Sequence, residues 1–194
     1  MTKKEIIWRD ILTQYLEKKT TKFTQKDLAQ KFGFSLSTIF NSLKTPREAQ
    51  IIEVSGRDFR IRDFEKFLYL WATFRTLKKD IIYSTYVKNS VFEIEANTPP
   101  NAIFGGYSAF RKKFNEAPAD YDKVYVYAEN LEKIKKRFPE TKAKSHQNLI
   151  VLQADKFLKN YGSITPLAQL FVDLWNLPEW YAKDFLNVLR EKIL

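Results

Sequence analysis

Between Phe23 and Leu43 the chain signals two helices separated by a three- or four-residue turn around Gly33. The Thr24 hydroxyl is placed to accept an amide proton of the next turn, and Asp27, at the third helical position, sits beside the positive helix end. Leu28, Ala29 and Phe32 form the expected buried face, and Gly33 supplies a left-handed stop. Ser35 then caps a second helix, whose core stripe is expected at Leu36, Ile39, Phe40 and Leu43. Pro46 predicts that this helix ends close to Lys44.

The flanks complete a unit. Residues 4–18 carry Ile7, Trp8, Ile11, Leu12, Tyr15 and Leu16 as a stripe, the pattern of an amphipathic helix. Ile51–Val54, a turn at Ser55–Asp58 and Phe59–Ile61 read as a hairpin, with Gly56 providing the positive φ of the turn. Three helices followed by a basic hairpin make a winged helix-turn-helix over residues 1–62. A connector helix is expected over 63–80, with Phe64, Phe67, Leu68, Trp71 and Phe74 on one face and Lys78-Lys79-Asp80 at its end. Over 81–194 a mixed α/β domain is expected, so the fold class is α+β. Its strands are expected at Val91–Glu95, Val124–Tyr127 and Leu149–Leu152. Helices are expected around Ser108–Phe114 and Leu131–Phe138, and two more, Pro166–Leu177 and Glu179–Ile193, close the chain.

Charge suggests the partner. The chain carries 33 Lys and Arg against 23 Asp and Glu, net +10, and residues 1–64 hold thirteen basic and eight acidic side chains. Such a surplus favours polyanions, nucleic acid first. On the second helix, burial of the apolar stripe leaves Ser37, Thr38, Asn41 and Lys44 outward. Short hydrogen-bonding groups plus a cation suit a major groove, and Asn41 has the geometry to pair with an adenine. Ser37 and Thr38 lie near the helix start, where a phosphate can be held, Gln25 and Ser35 join them as candidate DNA-binding residues, and Arg57 and Arg60 of the hairpin reach phosphates or the minor groove. The expected partner is double-stranded DNA, bound by a homodimer or by two copies on repeated half-sites. A winged helix reused as a protein-interaction module, with its polar face merely solvated, is the alternative.

Several longer stretches point the same way. Phe23–Phe40 resembles the helix-turn-helix of bacterial and archaeal regulators. Ile103-Phe-Gly-Gly-Tyr-Ser-Ala-Phe110, Asn148–Asp155 and Gln169–Leu186, with its Val-Asp-Leu-Trp-Asn-Leu-Pro-Glu-Trp run, resemble the AbiEi-type antitoxins of type IV toxin–antitoxin systems. The resemblance implies a regulator that represses its own operon and counteracts a nucleotidyltransferase-like toxin through its second domain.

Enzyme readings are weaker. Nucleotidyltransferases place Gly-Gly at a helix start and two alternate carboxylates beyond it; here Gly105-Gly106 precedes Asp120-Tyr121-Asp122 by thirteen residues. Asp120 and Asp122 would hold Mg²⁺, with Asp155 a possible third ligand. Lys123 breaks the pattern, and the pair precedes the expected strand, so no catalytic residue, metal or cofactor is expected. Zero cysteines exclude thiolate chemistry, and a lone His146 in the polar Lys144–Gln147 stretch excludes poly-histidine metal sites. The five glycines form no phosphate loop. Lys133, Lys135, Lys136 and Arg137 read as a solvated helix face, and the aromatics at 175, 180 and 181 mostly as core. No apolar run approaches the roughly 20 residues that span a bilayer, so a cytoplasmic protein without membrane contact is expected.

Overall fold

The computed structural model describes residues 1–141 and 146–194, and over them the chain is an α+β protein. It opens with α1 (Lys3–Lys18), β1 (Phe23–Thr24), α2 (Gln25–Phe32), α3 (Leu36–Glu48), β2 (Ile52–Ser55) and β3 (Asp58–Ile61). These strands form one antiparallel sheet in the order β1-β3-β2. Next come α4 (Phe64–Phe74), a 3-10 turn at Leu77–Asp80, β4 (Ile81–Thr85), α5 (Val91–Asn97), β5 (Ile103–Gly105) and α6 (Gly106–Phe114). They are followed by β6 (Val124–Ala128), α7 (Glu132–Arg137) and β7 (Leu149–Gln153). A 3-10 turn at Leu158–Tyr161, α8 (Leu167–Asn176) and α9 (Ala182–Ile193) end the chain.

The second sheet runs β4-β7-β6-β5, with β6 and β7 parallel across the α7 crossover and both edges antiparallel. On its two central strands, β6 and β7, the side chains alternate between two cores. Val124, Val126, Ala128, Leu149 and Val151 pack with Ile94 of α5 and Ile134 of α7. Tyr125, Tyr127, Ile150 and Leu152 belong to the larger core, with α6, α8 and α9. A parallel pair needs both faces covered, and here helices cover both.

Local signals held where a hydrogen bond made them. The Asp27 amide donates to Thr24 Oγ1 at 3.0 Å, and the Thr38 amide to Ser35 Oγ at 3.2 Å. Gly33 adopts φ 64°. Helix α3 differs from expectation in running through Pro46 to Glu48. Proline has no N–H for the carbonyl four residues back, so Ser42 loses its intrahelical donor. Trp8 Nε1 of α1 donates to that carbonyl instead, at 2.8 Å, and Trp8 is wedged edge-on to Phe67 and Phe74. The core stripe of α3 is likewise corrected: Ile39, Ser42, Leu43 and Pro46 are buried, whereas Leu36 is 57% and Phe40 47% exposed. Helix α1 meets only the first of these faces.

Other elements also differ. Val91–Glu95 is the body of α5, not a strand, because Ser90 and Glu93 form a reciprocal capping box, their amides donating to each other's side chains at 2.8 and 3.4 Å. Pro166 stands at the cap before α8 rather than inside its first turn. Trp175 and Trp180 are exposed, and only Tyr181 of that aromatic trio joins the core. Exposed His146 is described, but Lys144 and Ser145 beside it lie outside the described residues.

Helix α1 is buried on its polar side as well, Glu5 through Thr13 being covered. Arg9 reaches Asp155, Asp10 takes Lys31 at 2.6 Å and the Tyr161 hydroxyl at 2.8 Å, and Glu5 faces Arg75. Apolar side chains from 1–62, 63–80 and 81–194 meet in one continuous cluster, Trp8 and Trp71 among its largest members. No helix among the described residues is long and apolar enough to cross a membrane.

Candidate nucleic-acid interface

Packing of α1 on one face of α3 leaves the other face open. Ser37, Asn41 and Lys44 are exposed along one edge of that face, as helical spacing requires. Thr38 is half-buried, and its hydroxyl lies 3.0 Å from that of Ser35, so both are tied up in the cap. Gln25 opens α2, half-buried. Arg57 is exposed at the tip of the β2–β3 hairpin, beside Gly56 at φ 61°. Arg60 sits directly across the strands from Glu53, and its Nε donates to that carboxylate at 3.1 Å. The structure therefore leaves Ser37, Asn41, Lys44 and Arg57 with free polar groups. Lys44 has only a loose contact with Glu48, at 3.9 Å.

Two further features escaped the sequence reading. No acidic residue occurs between Asp27 and Glu48, and the first turn of α3 carries none. Carboxylates normally favour that position because the amide ends make it positive, so its vacant charge suits an incoming anion. The second is the pair Leu36 and Phe40, one turn apart and beside Ser37 and Asn41, with the Arg47 guanidinium 5.3 Å above the Phe40 ring. Apolar spacing of i and i+4 marks core and exposed stripe alike, so only the position of α1 separates them.

The Gly105-Gly106 turn is a different kind of place. It is buried, and a Cβ on Gly105 would lie 2.9 Å from the Tyr127 ring. On Gly106, at φ 51°, it would lie 3.1 Å from Leu177. These glycines admit the chain's own side chains. Asp120 is exposed, and Asp122 accepts a hydrogen bond from the Tyr181 hydroxyl at 2.5 Å. Nearby, Glu179 accepts from the hydroxyls of Tyr107 and Tyr125 and pairs with Lys123 at 2.8 Å. Burial, followed by the Glu179 charge, holds both phenols well above the usual tyrosine range, so they remain donors. Among the described residues no three His, Cys, Asp or Glu side chains gather as a metal-ion site.

Comparison with family models, curated proteins and solved structures finds no match to the chain.

Proposed function

We propose that the chain is a DNA-binding transcription regulator whose residues 1–62 act as a winged helix-turn-helix. The observation that carries this reading is the outer face of α3: exposed, free of acids until Glu48 in its last turn, and bearing Ser37, Asn41 and Lys44 on one edge. The element order α1-β1-α2-α3-β2-β3 and the αL turn at Gly33 support it, as does the basic surplus. In this reading α3 enters the major groove and Arg57 at the hairpin tip follows a phosphate strand. The protein works in the cytoplasm, without a cofactor, as a dimer or paired copies on DNA.

The second half is proposed as an antitoxin-like or sensory part. The run that carries the antitoxin resemblance turns Trp175 and Trp180 to the surface, which supports a partner-facing role. The covered Gly-Gly turn gives the nucleotidyl-transfer alternative no such support.

Base reading and phosphate clamping separate by mutation. Asn41→Ala should relax sequence preference, lowering affinity for the preferred duplex by about 1–3 kcal/mol while sparing random DNA. Arg57→Ala should weaken preferred and random duplexes alike. Anisotropy on both duplexes checks this; equal losses from both substitutions on both duplexes contradict it.

A further inference from the structure

The exposed apolar pair on α3 identifies a class of base that the proposed helix reads. We infer that Leu36 and Phe40 contact the C5-methyl groups of thymines in the major groove, an inference that rests on the DNA-binding reading above. Leu36 and Phe40 are 57% and 47% exposed, although α3 has a complete buried face without them. Single exposed apolar residues are ordinary, but two stacked one turn apart, on the edge next to that of Ser37 and Asn41, form a strip. The major groove offers one apolar group to such a strip, the thymine methyl. Neighbouring Asn41 suits adenine, so the pair of edges fits an A·T-containing step.

Charge selects DNA over a protein as the occupant. The strip is flanked on α3 by Lys44 and Arg47, and twenty residues pass between Asp27 and Glu48 without an acid. Arg47 at 5.3 Å sits over one face of the Phe40 ring, and the residue remains 47% exposed. A rigid ring costs little entropy to place against a methyl group.

Removing the methyl from the DNA tests this without disturbing the protein. The chain would be used to select duplexes from a randomised 20-base-pair library, and thymines of the recovered site replaced singly by deoxyuridine. At one or two positions affinity should fall about fourfold, the factor for returning one buried methyl to water. Phe40→Ala or Leu36→Ala should bind the thymine duplex more weakly and lose that dependence, while Asn41→Ala keeps it. Three results overturn the inference while leaving DNA binding standing. They are a recovered site without thymine, indifference to every deoxyuridine, and dependence that persists in both apolar variants. Failure to enrich any duplex removes the DNA-binding reading itself, and the inference with it.

Discussion

Arg9→Met should lower the unfolding free energy by about 3–5 kcal/mol, the cost of leaving a nearly buried carboxylate without its cation. Arg9 is fully buried, and its two Nη atoms donate to the two Asp155 oxygens at 2.7 and 2.8 Å. Nη1 also donates to Gln169 Oε1 at 3.1 Å, and the Tyr161 ring packs 5.1 Å from the guanidinium. Burial pulls the Arg9 pKa down, but the Asp155 hydrogen bonds and charge outweigh it and leave the pKa above the ordinary arginine value. Methionine fills similar space but offers Asp155 and Gln169 nothing. Because Asp155 follows β7 while Arg9 lies on α1, the loss falls on the seam between the two ends of the chain. Adding Asp155→Leu should recover much of it, since an apolar pair carries no desolvation cost. Denaturant unfolding of both variants checks the account; a neutral Arg9→Met contradicts it.

Asp173→Asn should change how stability responds to pH. Asp173 lies on α8 under the second sheet, where the Tyr127 hydroxyl donates to Oδ1 at 2.8 Å and Oδ2 has no hydrogen-bond partner. Burial pushes its carboxyl up to about 7, although the charge of Arg75, the hydrogen bond from Tyr127 and the nearby Gln169 amide oppose the shift, as does the charge of Arg9. The folded pKa lies above the unfolded one, so this group stabilises the fold fully below about pH 4 and less as pH rises through 7. Asparagine keeps the shape and never ionises. Relative to the parent, the variant should therefore gain on the order of 4 kcal/mol between pH 4 and pH 8, then level off. A difference that stays constant with pH contradicts the assignment. Taking the difference also removes the opposite contribution of Asp80, whose carboxyl Arg75 holds below its usual range despite burial.

Features made by neighbouring residues were legible in the sequence. The caps at Thr24 and Ser35 and the Gly33 stop each depend on atoms within a turn. The strands at Val124 and Leu149 combine β-branched composition with length, and the Asn41 edge follows from helical geometry alone. Val91–Glu95 misled because its apolar residues also alternate; the Ser90–Glu93 spacing was the better signal. Pro46 misled because only the distant Trp8 rescues the carbonyl it orphans. The short edge strands at Ile81 and Ile103 carry too little pattern to stand alone. The burial of the polar side of α1 was not legible, because its partners Asp155, Tyr161 and Arg75 are far away in sequence. Within the site, the engagement of Arg60 by Glu53 was implicit in the hairpin register.

Binding of duplex DNA as a function of salt tests the central claim most directly. Contact of Lys44 and Arg57 with one phosphate each gives a slope of about −1.8 in log affinity against log salt, a loss of roughly 12-fold between 50 and 200 mM. Measured by anisotropy on a duplex selected by the protein, affinity should fall at least that steeply. Absence of binding at 50 mM salt, or binding that salt leaves unchanged, contradicts the claim that α3 and the β2–β3 hairpin form a DNA-binding surface.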